Sequence, residues 1–187
     1  MNGKLSVGIV LGAMVAISAY AGPSKSSSSV TKQQGVQAFA VVHEVLTSPR
    51  CANCHPVDDV PRVGDDSRPH AMGVVRKSPE SGLPCSTCHR PDPIKGPAVP
   101  PGAPHWDLPP LNQVFAGRTP AQLCAQLKNP ATTGGRDLDA LLEHVRSDAL
   151  VLWGWDPGEG RTPVMVPYAK FVKAFETWVD SKGACPE

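Results

Sequence analysis

The chain has 187 residues and a formal net charge of +1, from 18 basic and 17 acidic side chains. The length suits a single domain, and this balance, with no basic stripe and no acidic tail, excludes a nucleic-acid binder or cation store built on bulk charge. Proline (21) and glycine (17) make up about a fifth of the chain, well above average usage, which excludes helix or strand throughout.

In chain order, residues 1–21 have the pattern of a cleavable secretory signal. Lys4 supplies a positive start, Leu5 to Ser18 an apolar run, and Ala19-Tyr20-Ala21 a small-x-small cleavage site. The run is short for a membrane span, which needs about 20 apolar residues, so cleavage after Ala21 and export to the periplasm are expected. Gly22 to Ser29 forms a flexible lead, and residues 30–187 are expected to form one domain. There, Val36, Phe39, His43 and Leu46 recur at helical spacing and predict a helix from about Val30 to Ser48, ended by Pro49.

Residues 49–110 are dense in Pro, Gly, Asp and Arg and show no sustained periodicity. A long segment without its own elements is uncommon in a compact domain and marks function. It needs something to pack on, and a large apolar cofactor can supply that centre. Residues 117–187 read as helical. Thr119-Pro120 is an N-cap and N1 pair for a short helix through Leu123, Cys124 and Leu127 that stops at Asn129-Pro130. Asp137 caps a second helix, with Leu138, Leu141, Leu142 and Val145 on its buried side. A third runs from about Pro167 to Lys182 on Phe171, Val172, Phe175, Trp178 and Val179, and Gly183 stops it. No segment of the mature chain is apolar enough to span a bilayer. The expected fold class is mainly α with extensive ordered loops.

One pentapeptide pattern occurs twice: Cys51-Ala52-Asn53-Cys54-His55 and Cys85-Ser86-Thr87-Cys88-His89. Cys-x-x-Cys-His is the c-type haem attachment signature. Two thiols three residues apart can each form a thioether to one haem vinyl group, and the next residue then offers its imidazole to the iron. Cys51, Cys54, Cys85 and Cys88 are therefore expected to hold two covalent haems c, with His55 and His89 as proximal ligands. A zinc site made of two Cys-x-x-Cys knuckles is the plainer alternative. The 30 residues between Cys54 and Cys85 exceed the usual zinc spacing of about 15–20, and zinc does not explain a histidine directly after both knuckles. Thioredoxin-like chemistry would need one motif in a βαβ context, which is missing. In an oxidising compartment the remaining pair, Cys124 and Cys185, is expected to form a disulfide.

Each iron then needs a sixth ligand or an open site. His70, between the motifs, and His144, at the edge of a buried helix face, are the leading distal candidates. Met72 and His43 rank below them. His105, in Pro104-His105-Trp106, reads as a loop residue, and Met165 as a weak candidate in a Pro-flanked segment. For His144 the bland reading is a half-buried histidine bonded to a backbone carbonyl, and for His43 a helix histidine packed against a haem edge or propionate. Which distal ligand serves which haem is open at this point. Trp106, Trp153 and Trp155 are expected to pack on porphyrin with their N–H groups on a propionate or backbone. Arg62, Arg68, Arg76, Arg118, Arg136 and Arg161 are candidate propionate partners.

These residues resemble a family of small exported dihaem cytochromes c, the isoquinoline 1-oxidoreductase subunits. The likeness covers nearly the whole mature chain. Its landmarks are Pro49-Arg50-Cys51-Ala52-Asn53-Cys54-His55-Pro56, Gly64-Asp65-Asp66-Ser67-Arg68-Pro69-His70 and Cys85-Ser86-Thr87-Cys88-His89. Val99 to Pro104, Gln126 to Pro130, His144, Leu150 to Gly158 and Gly183-Ala184-Cys185-Pro186 follow. The resemblance implies that His70 and His144 are family positions whereas His43 and His105 are particular to this chain. It also implies a redox partner that is a molybdenum-containing hydroxylase or dehydrogenase. The expected function is electron transfer rather than catalysis, as a free carrier or as a subunit of a larger dehydrogenase. The alternative is a peroxidase-like dihaem enzyme with one open iron. Against it, no acid–base constellation stands near either motif.

Overall fold

The computed structural model describes residues 1, 3, 29–92, 96 and 99–187. All but residues 1 and 3 of the expected signal peptide, and residues 22–28 of the lead, therefore lie outside the described residues. The described chain is mainly helical. Its α-helices are α1 (Lys32–Leu46), α2 (Pro49–Ala52), α3 (Pro120–Leu127), α4 (Leu138–Ser147), α5 (Ala149–Leu152) and α6 (Tyr168–Asp180). Among the described residues, no helix is long and apolar enough to cross a membrane.

Local chemistry sets the helix ends. Thr31 caps α1 in a capping box with Gln34, and Thr119 caps α3 in the same way with Gln122. The Asp137 carboxylate accepts the Ala140 N–H at the start of α4, and Gly183, at φ 67°, follows α6. Two boundaries differ from the sequence reading. Thr31 delays α1 to Lys32. Pro49 follows α1 but opens a new turn, α2, because proline at N1 has no N–H to lose there. The buried stripe of α1 is also rotated: Gly35, Phe39, Val42, Val45 and Leu46 face inward, and His43 sits at the edge.

α1 and α6 pack along each other, and α3 and α4 close the core around them. Phe39 meets Trp178 at 5.1 Å between ring centroids, Trp178 meets Phe175 at 5.3 Å, and Phe175 meets Phe171 at 5.8 Å. Gly35 permits this approach, since a Cβ there would overlap Ser181 and stand 3.0 Å from the Ala184 Cβ. Cys124 and Cys185 form the expected disulfide, which ties α3 to the chain beyond α6.

The intervening segment is a different kind of structure. Between α2 and α3 the described residues hold one two-stranded hairpin, β1 (Arg62–Val63) against β2 (Arg68–Pro69), and short 3-10 turns at Pro79–Ser81 and Cys85–Thr87. Its apolar side chains are poorly covered: Val57, Met72, Val75, Leu83 and Leu111 are all exposed. The buried aliphatic and aromatic side chains belong chiefly to the helical part.

Candidate functional site

Both Cys-x-x-Cys-His pentapeptides fold into one helical turn. In the first, α2 carries Cys51, the Cys54 N–H reaches the Cys51 carbonyl at 3.2 Å, and the His55 N–H reaches the Ala52 carbonyl at 3.1 Å. In the second, a 3-10 turn carries Cys85, and the Cys88 and His89 N–H groups both reach the Cys85 carbonyl, at 3.2 and 2.9 Å. Residues three apart on such a turn share a face. The first motif is sewn to the hairpin: Asn53 Nδ2 donates to the Gly64 carbonyl at 2.8 Å and Arg62 N–H to the Asn53 carbonyl at 3.0 Å.

The two histidines are held alike. His55 Nδ1 lies 2.7 Å from the Gln113 carbonyl, and His89 Nδ1 lies 2.7 Å from the Pro101 carbonyl. A carbonyl can only accept, so each ring carries its proton on Nδ1 and keeps the Nε2 lone pair for a metal. Each ring also lies flat against an aromatic plate. Phe115 stacks on His55 at 3.7 Å and 7°, and Trp106 on His89 at 4.6 Å and 3°. Gly102 makes the second arrangement possible. A Cβ there would overlap the Arg90 carbonyl oxygen, so only glycine lets the 101–103 backbone run against His89-Arg90.

Burial disfavours the charged form of both imidazoles. It pushes His55 down to about 4, against a smaller upward pull from the bond to Gln113, and the charges of His144 and Arg76 add to the depression. Burial likewise lowers His89, with His70 and Arg161 among the charges that add to it. Burial pushes the Cys51 thiol up to about 12 and Cys54 to about 11. A reactive Cys-x-x-Cys redox pair needs the opposite shift. Cys85 is among the charges felt by Cys54, so the two motifs lie near one another.

The distal candidates separate clearly. His70 lies with its ring centroid 6.1 Å from that of His89 and the planes at 68°. The Met72 N–H approaches His70 Nδ1 at 3.3 Å, the weak end of hydrogen bonding. His144 is half-buried on α4, and the Asp148 carboxylate faces its Nδ1 at 3.5 Å, leaving Nε2 open. Burial lowers the His144 pKa, Asp148 raises it and Arg136 lowers it further. His43 has spent its Nε2 on the Arg118 carbonyl at 2.8 Å, not the haem-edge or propionate contact expected of it as a helix histidine. Met72 and Met165 are 73% and 80% exposed, and His105 is an exposed loop residue at φ 61°.

Trp106 meets Trp153 edge-on at 4.9 Å, and the Arg50 guanidinium stands 5.8 Å from the Trp153 ring centroid. Trp155 instead joins the helical core against Phe171 and gives its N–H to the Val166 carbonyl at 2.7 Å. Arg50, named in a resemblance landmark but not among the propionate candidates, is buried and paired with Asp65. Arg62, Arg68 and Arg76 pair with Asp58, Asp66 and Asp59. Arg136 and Arg161 bond backbone carbonyls, and Arg118 Nε is buried with no partner. Among the described residues, none of these three forms an ion pair with a carboxylate.

These residues fit covalent haem. Each motif offers two thiols on one turn, an imidazole whose Nδ1 is tied to a backbone carbonyl, and uncovered apolar side chains close by in sequence. Among the described residues, no three His, Cys, Asp or Glu side chains form a group that could hold a metal ion. The carbonyls of Gln113 and Pro101 and the plates Phe115 and Trp106 were not identified as ring holders from sequence. Of these, only Pro100-Pro101-Gly102 carried a usable signal, a glycine in a stiff run marking a close backbone approach. No protein-family model, curated protein or solved structure matches the chain.

Proposed function

We propose that the chain is an exported, periplasmic electron-transfer protein with two covalent haems c. Cys51 and Cys54 would hold one haem and Cys85 and Cys88 the other, by thioether bonds. His55 and His89 would be the first imidazole ligands of the two irons, and His70 and His144 would offer the second. The matched seating of the two proximal rings carries this reading. Two turns in unlike surroundings each tie Nδ1 to a backbone carbonyl and press one ring face on an aromatic side chain.

Each haem iron supplies a one-electron ferric–ferrous couple. The protein's part is to hold both states in one geometry, so that little has to move when an electron arrives. The carbonyl bond fixes each ring's rotation and raises its basicity, and the plate fixes its tilt. The Asp148 carboxylate does the same for His144. Two imidazoles favour the ferric state more than an imidazole and a thioether do, which places the potentials low for c-type haem. Arg118, Arg136 and Arg161 are suited to haem propionates. The partner is a redox protein, and the family resemblance suggests a molybdenum-containing hydroxylase or dehydrogenase.

Intact-mass measurement of the exported protein tests the reading. Two haems should remain bound through acid acetone, and Cys85→Ala with Cys88→Ala should remove one. Haem that extracts completely, or a mature chain that carries none, overturns it.

A further inference from the structure

We propose that His70 is the second axial ligand of the iron attached at Cys85 and Cys88, opposite His89, so that His144 serves the iron attached at Cys51 and Cys54, opposite His55. This pairing rests on the dihaem reading above and adds what the sequence leaves open. His70 lies 15 residues after His55 and 19 before His89, so chain distance does not choose between them.

Geometry does choose. A metal–imidazole bond is about 2 Å long and a ring nitrogen lies about 1 Å from its centroid, so two imidazoles across one metal ion have centroids roughly 6 Å apart. His70 and His89 stand at 6.1 Å. Their 68° interplanar angle is allowed, because two trans imidazoles can turn independently about their shared axis. The Pro101 carbonyl commits His89 to Nε2. For His70 to bind through Nε2, its ring proton must move to Nδ1, which gives up only the 3.3 Å contact from Met72 N–H.

The backbone explains why His70 reaches away from its nearer motif. The hairpin β1–β2 is anchored on the first motif through Asn53, and Arg62 pairs with Pro69 across it. His70 follows directly, its N–H on the Pro61 carbonyl at 3.0 Å. The hairpin is thus an arm fixed at one attachment site whose end presents an imidazole to the other. His144 has the Asp148 carboxylate 3.5 Å from its Nδ1, which leaves Nε2 for the iron that His70 does not serve.

The test uses the exported holoprotein and two single-haem backgrounds. With Cys51→Ala and Cys54→Ala only the second haem remains. There, His70→Ala should turn all of that haem high-spin in the oxidised spectrum, while His144→Ala leaves it low-spin. With Cys85→Ala and Cys88→Ala the pattern should reverse. The opposite pattern, or a low-spin haem that survives His70→Ala in the first background, overturns the pairing. Two-dimensional NMR of the fully reduced wild type needs no variant. His70 ring protons should show cross-peaks to the haem whose thioether protons belong to Cys85 and Cys88, and cross-peaks to the other haem overturn the assignment. Total haem measured as pyridine haemochrome separates the two claims. A value below two per chain in wild type defeats the dihaem reading, whereas two per chain with crossed ligands defeats only the pairing.

Discussion

Replacing Gly102 with alanine probes the seat of His89 without touching the ring, the thiols or a charge. The new Cβ would overlap the Arg90 carbonyl oxygen and stand 3.0 Å from its carbon, where ordinary contacts begin at 3.4 Å. The two backbones must part by on the order of 1 Å, which stretches the 2.7 Å bond from His89 Nδ1 to the Pro101 carbonyl beyond hydrogen-bond range. Overpacking costs about 1–3 kcal/mol and the lost bond about 1 kcal/mol, or about 2–4 kcal/mol together. For a chain of this size that lowers Tm by roughly 5–15 °C. If His89 ligates haem as proposed, the imidazole also loses the acceptor that would raise its basicity, so the potential of one haem should rise while the other stays put. Thermal unfolding and potentiometric titration read both effects. Pro101→Ala, which keeps the carbonyl, is the control and should shift the potential little. If Gly102→Ala matches wild type in both measurements, the 101–103 backbone does not seat His89.

Two further outcomes follow from features away from the histidines. Cys124→Ser should lower stability by about 4 kcal/mol, the loop-closure value for a separation of 61 residues, in urea titration, with haem content unchanged; equal stability of the variant and wild type would remove the staple. Asp65 is held below the usual carboxylate range, first by the Thr162 hydroxyl and then by the Arg50 charge. A depressed folded pKa adds stability above the unfolded value of about 4 that is lost as pH falls through the folded one. Asp65→Asn should therefore cost about 1 kcal/mol at pH 7, kept small because the carboxylate is half in water, and the gap to wild type should close in acid. A gap that widens toward low pH would contradict the sign.

Much of the frame was legible in local signals. Thr119-Pro120, Asp137 and Gly183 mark helix ends by chemistry confined to a few residues. The two pentapeptides name their thiols and imidazoles by spacing alone. His43 and His144 show where such reading stops. Both sit at the edge of an apolar helix face, yet His43 meets a backbone carbonyl from another segment and His144 a carboxylate on its own helix's C-cap. Only tertiary placement separates them. The ring-holding carbonyls of Gln113 and Pro101 are beyond sequence for a related reason, since a main-chain oxygen looks the same at every residue. Arg50 was missed because a charged residue next to a cysteine motif reads as solvated surface until Asp65 and Trp153 are placed beside it.

The packing of α1 on α6 also has a consequence for biogenesis. Phe39 and Trp178 lie near opposite ends of the described chain, and their contact belongs to the core that α3 and α4 complete. A polypeptide threaded N-terminus first across a membrane delivers Cys51–His55 and Cys85–His89 before α6 has emerged. Through that interval the core has no second wall, and both pentapeptides remain open to the enzymes that would ligate haem. If the chain is exported and loaded with haem as proposed, arrival of the last helix would close that window, so the order of delivery would place loading ahead of folding.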